Sequence, residues 1–378
     1  MYNGSHQEKP NQNPEQNQEQ KEEQKQEYID TSINDIRSQK EFQDIGFSGH
    51  KKTDVKKELM NALIQSNHEP ACYWSAELIC AGHYYETWEI FILFFCKYIH
   101  ISNPKLCIYL KKRWLNFKSL LTNGYTEMEL FARNDKKIRN LYCEVVCVLC
   151  NSNKNHLING IKISEADFEV KSMQDKLVSE DVIHINHLFR TKDPRELFMA
   201  YNEFFYHLQN KHPRDACYWM EWIMSFERKL AMDKNSLKSE RRNFQEVETK
   251  YQTDVVWMIW DAFFNEAIEK SISTTHQIIQ SCLSLFAIKY TSSRYNKYKL
   301  MMYFLIQVLT EPEMQSMKTE VIPNKQILPY FLENLNHIYA QIKKNERSPR
   351  MEYLHTEGTK SNLSKTIENI EMMNEIGF

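Results

Sequence analysis

Three cysteines and one histidine have the clearest capacity for chemistry, since Cys143, Cys147, Cys150 and His156 lie within 14 residues. The Cys147-x-x-Cys150 spacing fits a zinc site, whose ligands are thiolates and imidazoles. However, the three cysteines share one face of a very apolar predicted helix, where free cysteine behaves as a small hydrophobic residue. We therefore predict core packing and no bound metal, with zinc as the alternative.

No other grouping of side chains predicts a reaction. The sequence contains no G-x-x-x-x-G-K-S/T phosphate loop, no G-x-S-x-G and no H-E-x-x-H. Glu77 and Glu86 flank an aromatic helix, a position typical of a solvated helix edge, and His184 and His187 lie in a polar segment without a ligand partner nearby in sequence. We predict no catalytic residue, no cofactor and no enzymatic activity; an enzyme with a polar pocket between helices is the alternative.

Basic residues form three clusters on predicted helices. Two clusters start helices at corresponding positions of an internal repeat, and one of these lies among Tyr290, Tyr295 and Tyr298, so together they predict a quasi-symmetric surface with rings that stack on bases. Charged helix starts are more often simply solvated, which is the alternative. The candidate nucleic-acid-binding residues are Lys111, Lys112, Arg113, Lys136, Lys137, Arg139, Arg294, Lys297 and Lys299.

The composition indicates an intracellular helical protein. The 378 residues include 48 Lys and Arg against 50 Asp and Glu, a formal net charge of −2 that gives no global attraction to nucleic acid or anionic membranes. Eight glycines and ten prolines are few for a sheet-rich fold. Nine irregularly spaced cysteines predict reduced thiols in a cytoplasmic compartment. The apolar window from Trp88 is interrupted by charges and too short to cross a membrane.

A tetrapeptide repeat indicates how the chain is organised, because Ala-Cys-Tyr-Trp occurs at residues 71–74 and again at 216–219. The preceding ELMNALIQSNHEP aligns without a gap on EFFYHLQNKHPRD, and a Trp-bearing apolar helix follows each copy. We predict an all-α protein of two tandem helical modules. In a helix, the alanine and the tryptophan share one face, so we assign helix packing to Ala71, Tyr73, Trp74, Ala216, Tyr218 and Trp219.

Composition shifts predict the boundaries of five segments. Residues 1–53 form a disordered Gln/Asn/Glu-rich tail, 54–150 the first helical module, 151–192 a polar linker, 193–344 the second helical module and 345–378 a C-terminal tail. An acidic-Ile-Gly-Phe tetrapeptide lies in each tail, at residues 44–47 and 375–378. Chance is the default explanation for a match of four residues. Two copies of a short apolar motif on tails would also suit docking on a partner.

The first repeat resembles a known helical domain. Ala71, Tyr73, Trp74, Ala76 and Gly82 match the helix that opens the collar of clamp-loader-type AAA+ ATPases, in the branch related to Werner-helicase-interacting ATPases. The phosphate loop of that family is missing, so the resemblance implies the collar without the motor. The Gln/Asn-rich start and Asn/Lys/Ile-rich body are also similar to uncharacterised proteins of large nucleocytoplasmic DNA viruses.

These observations together predict a non-enzymatic scaffold or assembly protein. The resemblance implies a collar-like subunit of a viral nucleic-acid-processing complex, with protein partners, nucleic acid as a further candidate partner and no membrane contact. The expected location is the cytoplasm, or a viral factory within it. The alternative is a structural or virion-associated protein that works through protein contacts alone.

Overall fold

The computed structural model describes residues 29–126, 128–155, 160–244, 246–269, 273–311, 320, 322 and 324–347, and their regular secondary structure is helical. These residues contain no β-strand, only an isolated antiparallel bridge between Ile45 and Lys51. The all-α prediction is confirmed. His156, residues 1–28 and 348–378 of the predicted tails, and the tetrapeptide at 375–378 lie outside the described residues.

Twelve α-helices make up the described fold. In chain order they are α1 Lys52–Ile64, α2 His68–Cys80, α3 Tyr84–Phe94, α4 Leu106–Gly124, α5 Lys136–Asn151, α6 Val170–Gln174, α7 Phe198–Gln209, α8 Pro213–Met232, α9 Val256–Glu269, α10 Ser273–Phe286, α11 Tyr295–Thr310 and α12 Ile327–Lys343. A π-helical turn, Phe95–Ile99, extends α3.

Two helical hairpins, α1–α2 and α7–α8, have the same connecting turn. Ser66 and Lys211 both adopt φ of 60°, the left-handed conformation that ends a helix sharply. The amide of the following residue donates a hydrogen bond back to the last turn of the preceding helix. Asn67 N–H donates to Ala62 O and His212 N–H donates to His207 O, both at 2.9 Å. The two hairpins therefore match in backbone geometry as well as in sequence.

The helices that follow these hairpins also correspond in order and packing. Helix α5 packs against α1, α2, α3 and α4, and helix α11 packs in the same way against α7, α8, α9 and α10. Each half thus contains four helices packed around a fifth, whose apolar side chains are nearly all buried. This correspondence supports the internal repeat, which stays a prediction about the origin of the two halves.

The two halves pack directly on each other. Helix α4 lies against α10, and the π-helical turn after α3 lies against α11. Phe95 meets Phe304 edge to face with ring centroids 5.2 Å apart, and the Cys107 thiol donates to Ile278 O at 3.8 Å. An apolar contact of this kind fixes one relative placement of the halves.

Residues 29–50 cover the first half without forming a helix. Ile33, Phe42 and Phe47 are buried, and the Arg37 guanidinium lies over both phenylalanine rings while it pairs with Asp35 at 2.5 Å. The folded part therefore begins before the predicted boundary at residue 53. The boundary was predicted too far along the chain because these apolar side chains are scattered in sequence, yet all of them lie in the core.

Helix α12 closes the first half rather than the second. It packs on α2 and α5, although the predicted second module extends to residue 344. The Arg347 amide donates to Asp35 at 2.8 Å, and the Lys343 ammonium pairs with Asp30 at 2.6 Å. The two ends of the described chain thus meet on the first half.

The tetrapeptide at residues 44–47 is part of the core, so a role as a free docking motif is wrong for this copy. Phe47 is buried, and a Cβ added at Gly46 would lie 2.7 Å from a Glu77 carboxylate oxygen. Glu77 itself is fully buried and accepts hydrogen bonds from Ser48 N–H at 2.6 Å and Ser48 Oγ at 2.9 Å. Burial raises the pKa of Glu77, which corrects its assignment to a solvated edge.

From residue 160 onward, the predicted linker lies along the second half, and it forms no strand in its described residues. Trp222 Nε1 donates to Asp167 O at 2.9 Å, Phe168 packs on the Trp222 ring, and Ile161 N–H donates to Tyr303 Oη at 2.9 Å. These contacts attach the linker to α8 and α11.

A second connection, between α8 and α9, is held by the buried guanidinium of Arg242. That group donates to Asp193 and to Asp261, each at 2.7 Å. Its buried charge is therefore compensated by two carboxylates.

The two repeated tryptophans occupy different environments, and their substitution should differ in cost. Trp219 is 1% exposed, whereas Trp74 is half-buried beside His50. We expect Trp219→Ala to lower the free energy of unfolding by about 3–5 kcal/mol, and Trp74→Ala by less than half of that. Urea unfolding of both variants measures the difference. Equal losses would show that the two helices pack alike.

Candidate nucleic-acid interface

The predicted basic residues lie on three helices, α4, α5 and α11, or directly before them. One residue from each of the α4 and α5 clusters, Arg113 and Lys137, lines a shared groove together with Asn116, Asn140 and Leu332 of α12. Arg113 also pairs with Glu144 at 2.6 Å, so its charge is already compensated within the fold. The structure thus brings one residue of each of these two clusters into one groove, and a carboxylate compensates the charge of one of the two, Arg113.

Arg139 is a core residue and does not belong to a surface. Its side chain is almost fully buried and its guanidinium lies 3.9 Å from the centre of the Tyr339 ring. Arg139 Nε donates to Arg133 O at 2.6 Å, and Nη2 donates to Thr31 O at 3.0 Å. The prediction of nucleic-acid contact is wrong for this residue, because its donors hold residues 29–35 and α12 against α5.

The α11 cluster faces acidic residues of the protein itself. Arg294 pairs with Glu89 at 2.8 Å, Lys297 also pairs with Glu89, and Lys299 pairs with Glu221 at 2.9 Å. Because Glu89 lies on α3 and Arg294 and Lys297 precede or lie on α11, the pairs with Glu89 bridge the two halves. The cluster thus serves the interface between halves and does not continue the groove on α4 and α5.

The aromatic rings beside the α11 cluster are not available for stacking on bases. Tyr290, Tyr295 and Tyr298 are each no more than 5% exposed. Burial raises the pKa of all three hydroxyls. The predicted quasi-symmetric surface therefore lacks its aromatic component. Outside the α11 cluster, the exposed members of the predicted set are Lys112, Lys136 and Lys137.

The two Ala-Cys-Tyr-Trp copies are similar in the surroundings of their alanine and tyrosine, and their helix-packing role stays a prediction. Ala71 and Ala216 are completely buried. In each copy the tyrosine ring meets the following tryptophan edge to face, with centroids 5.2 Å apart in the first copy and 5.3 Å in the second. The hydroxyl of Tyr218 also donates to Asp167 at 2.9 Å, which ties the linker to α8.

The cysteine of the first copy completes a thiol cluster that the sequence only partly indicated. The sulfurs of Cys72, Cys143 and Cys147 lie within 4.8 Å of one another, with Cys72 and Cys143 3.8 Å apart. Cys150 lies outside this group. In the sequence, only the position of Cys72 next to Ala71 indicated that this cysteine is buried. The packing of α2 on α5 is what brings its sulfur next to those of Cys143 and Cys147.

Hydrogen bonding and burial set the protonation of this cluster. Hydrogen bonds among the thiols and their burial raise the pKa of Cys72 and Cys143, and the same hydrogen bonds lower the pKa of Cys147. Each of the three side chains is no more than 3% exposed. The cluster is therefore chemically distinct but closed to solvent.

The remaining titratable candidates have partners within the fold. Glu86 lies 3.7 Å from Lys52, as expected of a helix edge. His184 Nδ1 lies 3.2 Å from Gln209 Oε1, and His187 Nε2 lies 3.1 Å from an Asn265 oxygen. No described helix combines the length and the apolar character needed to cross a bilayer.

Comparison with known proteins gives no relative for this chain: no protein-family model, curated protein or solved structure matches it. The resemblance to clamp-loader collars and to viral proteins thus stays a prediction. No function is transferred to the chain from a relative.

The cysteines provide a test of the packing around the thiol cluster. All nine are free and buried, so the native protein should react with a small disulfide reagent only as slowly as it opens. In denaturant all nine thiols should react quickly. We expect no fast-reacting thiol in the native state; rapid modification of Cys147 would show that the cluster is open to solvent.

Proposed function

We propose that this chain is a non-enzymatic helical scaffold that joins protein subunits into a larger complex. The observation that carries the proposal is a group of exposed apolar and basic side chains where α4 connects to α5, here called the α4–α5 corner and comprising Met128, Phe131, Lys136 and Lys137. Met128 and Phe131 are 61% and 59% exposed, and both lysines are exposed beside them in sequence.

This composition suits a protein partner better than a nucleic acid. Aromatic and thioether side chains are enriched at the centres of protein interfaces, and charged residues surround them. A partner segment with apolar side chains flanked by carboxylates would complement the α4–α5 corner. Little in the sequence indicated the α4–α5 corner, because Met128 and Phe131 are isolated apolar residues in a polar connection.

The finer form of the proposal is a collar-like subunit of a viral nucleic-acid-processing complex in the cytoplasm. It is supported by the resemblance of the helix that contains Ala71, Tyr73 and Trp74, and by the φ of +79° at Gly82, which ends that helix in the way the family's helix ends. Nine free thiols suit a reducing compartment. In such a complex, this subunit would act by contacts with other proteins.

Direct binding of nucleic acid is the second candidate, supported by exposed Lys112, Lys136 and Lys137. Three lysines would contact about three phosphates, so any binding through them would weaken steeply with added salt. This salt dependence separates the two candidates experimentally. Five of the nine predicted basic residues are instead engaged within the fold: Arg113, Arg139, Arg294, Lys297 and Lys299.

Substitution of the two apolar residues tests the α4–α5 corner. We expect Met128→Ser combined with Phe131→Ser to abolish capture of the partner proteins when the tagged full chain is recovered from its native cells after nuclease treatment. The fold should be unchanged because both side chains are exposed. Quantitative comparison of captured proteins measures the effect.

Leu115→Ser is the matched control, because Leu115 is 48% exposed on α4 but lies outside the α4–α5 corner. It should retain the captured proteins. Loss of those proteins on nuclease treatment alone, or their retention by the doubly substituted chain, would contradict the proposal. In the first case, Lys136→Glu with Lys137→Glu should also abolish salt-sensitive binding of single-stranded DNA.

A further inference from the structure

The turn of the second hairpin gathers two imidazoles and a carboxylate. His207 lies in the last turn of α7, His212 precedes α8 and Asp215 lies in the first turn of α8. Their ligand atoms, one from each side chain, all lie within 4.8 Å of one another, and the two histidine Nδ1 atoms are 3.2 Å apart. His207 is buried, whereas His212 and Asp215 are exposed. The group thus opens to solvent on one side.

A buried carboxylate sets the tautomer of His207. Glu203, one turn earlier on α7, is completely buried, and its oxygens accept hydrogen bonds from Val178 N–H at 3.1 Å and Ser179 N–H at 3.0 Å. Its Oε2 lies 3.4 Å from His207 Nε2. Two amide donors thus fix the Glu203 carboxylate beside the His207 ring.

With a carboxylate as the acceptor at Nε2, the proton of His207 belongs on that nitrogen. Nδ1 then carries a lone pair and lies 3.2 Å from His212 Nδ1. A histidine whose second nitrogen donates to a carboxylate is the usual arrangement of a metal ligand, since the carboxylate orients the ring and makes it more basic. Glu203 is therefore a positioning residue for His207.

We propose that His207, His212 and Asp215 bind one Zn²⁺ ion, with a fourth coordination position open to water. Zinc takes imidazole nitrogens at about 2.0–2.1 Å in tetrahedral geometry, which places two such nitrogens about 3.3–3.4 Å apart. The observed 3.2 Å between the Nδ1 atoms fits this spacing. The carboxylate of Asp215 supplies the charge that offsets the positive end of the α8 dipole.

The first hairpin provides an internal comparison. It has the same turn, yet Ala62, Asn67 and Pro70 stand where the second has His207, His212 and Asp215. The turn therefore forms without any of the three ligands. Asn67 occupies the position before α2 that His212 occupies before α8, so His212→Asn places a residue already used in this turn, and one that favours helix starts.

The thiol cluster of Cys72, Cys143 and Cys147 is the competing site for zinc in the described chain. It differs in ligand type, since thiolates give Co²⁺ complexes an intense sulfur-to-metal charge-transfer band that imidazole and carboxylate ligands do not give. It also differs in access, because all three cysteines are buried whereas His212 and Asp215 are exposed. Cys143→Ala is therefore the matched control variant.

The test uses the full chain without a histidine tag, freed of metal by a chelator and then titrated with zinc sulfate. We expect one zinc per chain, a rise in melting temperature on zinc addition, and a Co²⁺ spectrum without the sulfur band. His212→Asn and Asp215→Asn should each weaken zinc binding at least tenfold and remove the thermal shift. Glu203→Gln should weaken binding about 10–100-fold although it touches no metal.

Cys143→Ala should bind zinc as the unchanged chain does. Circular dichroism of His212→Asn without metal should match that of the unchanged chain, which shows that a loss of zinc is not a loss of fold. A chain that binds no zinc would overturn the proposal. So would zinc that persists in His212→Asn but is lost in Cys143→Ala, since the thiol cluster would then hold the metal.

Discussion

The contact between the two halves is the constraint on which the rest of the structure depends. Helix α4 must bury its apolar face against α10, and the π-helical turn after α3 must fit against α11, before either half has a complete core. Arg294 and Lys297 then pair with Glu89 at the edge of this contact. Burial of apolar surface drives the association of the two halves, and ion pairs of this kind fix its geometry more than they add to its stability.

Within each half, one backbone arrangement accommodates different chemistry. The same hairpin turn holds Ala62 and Asn67 in the first half and His207 and His212 in the second. The same helix position holds buried Glu77 in the first half and Trp222 in the second. The two halves thus differ at the turn and even at a buried helix position, while buried Ala71 and Ala216 keep the helices close in both.

The helical class, the two hairpins and the packing role of the Ala-Cys-Tyr-Trp helices could be predicted from the sequence, because periodicity and small residues act locally. Partners that are distant in sequence could not. Arg139 and Arg294 look like solvated helix starts until Thr31 and Glu89 are placed beside them. Likewise, nothing in the sequence places Cys72 next to Cys143, because only the packing of α2 on α5 brings their sulfurs together. Charge and residue type are local properties, whereas burial and pairing depend on the tertiary fold.

With residues 29–50 and α12, the two halves should unfold as a single cooperative unit. Equilibrium unfolding in urea tests this, followed in parallel by far-ultraviolet circular dichroism and by the fluorescence of the seven tryptophans, three in the first half and four in the second. We predict one transition with the same midpoint for both probes. Two separate transitions would show instead that each half folds alone and that the contact between them is not required.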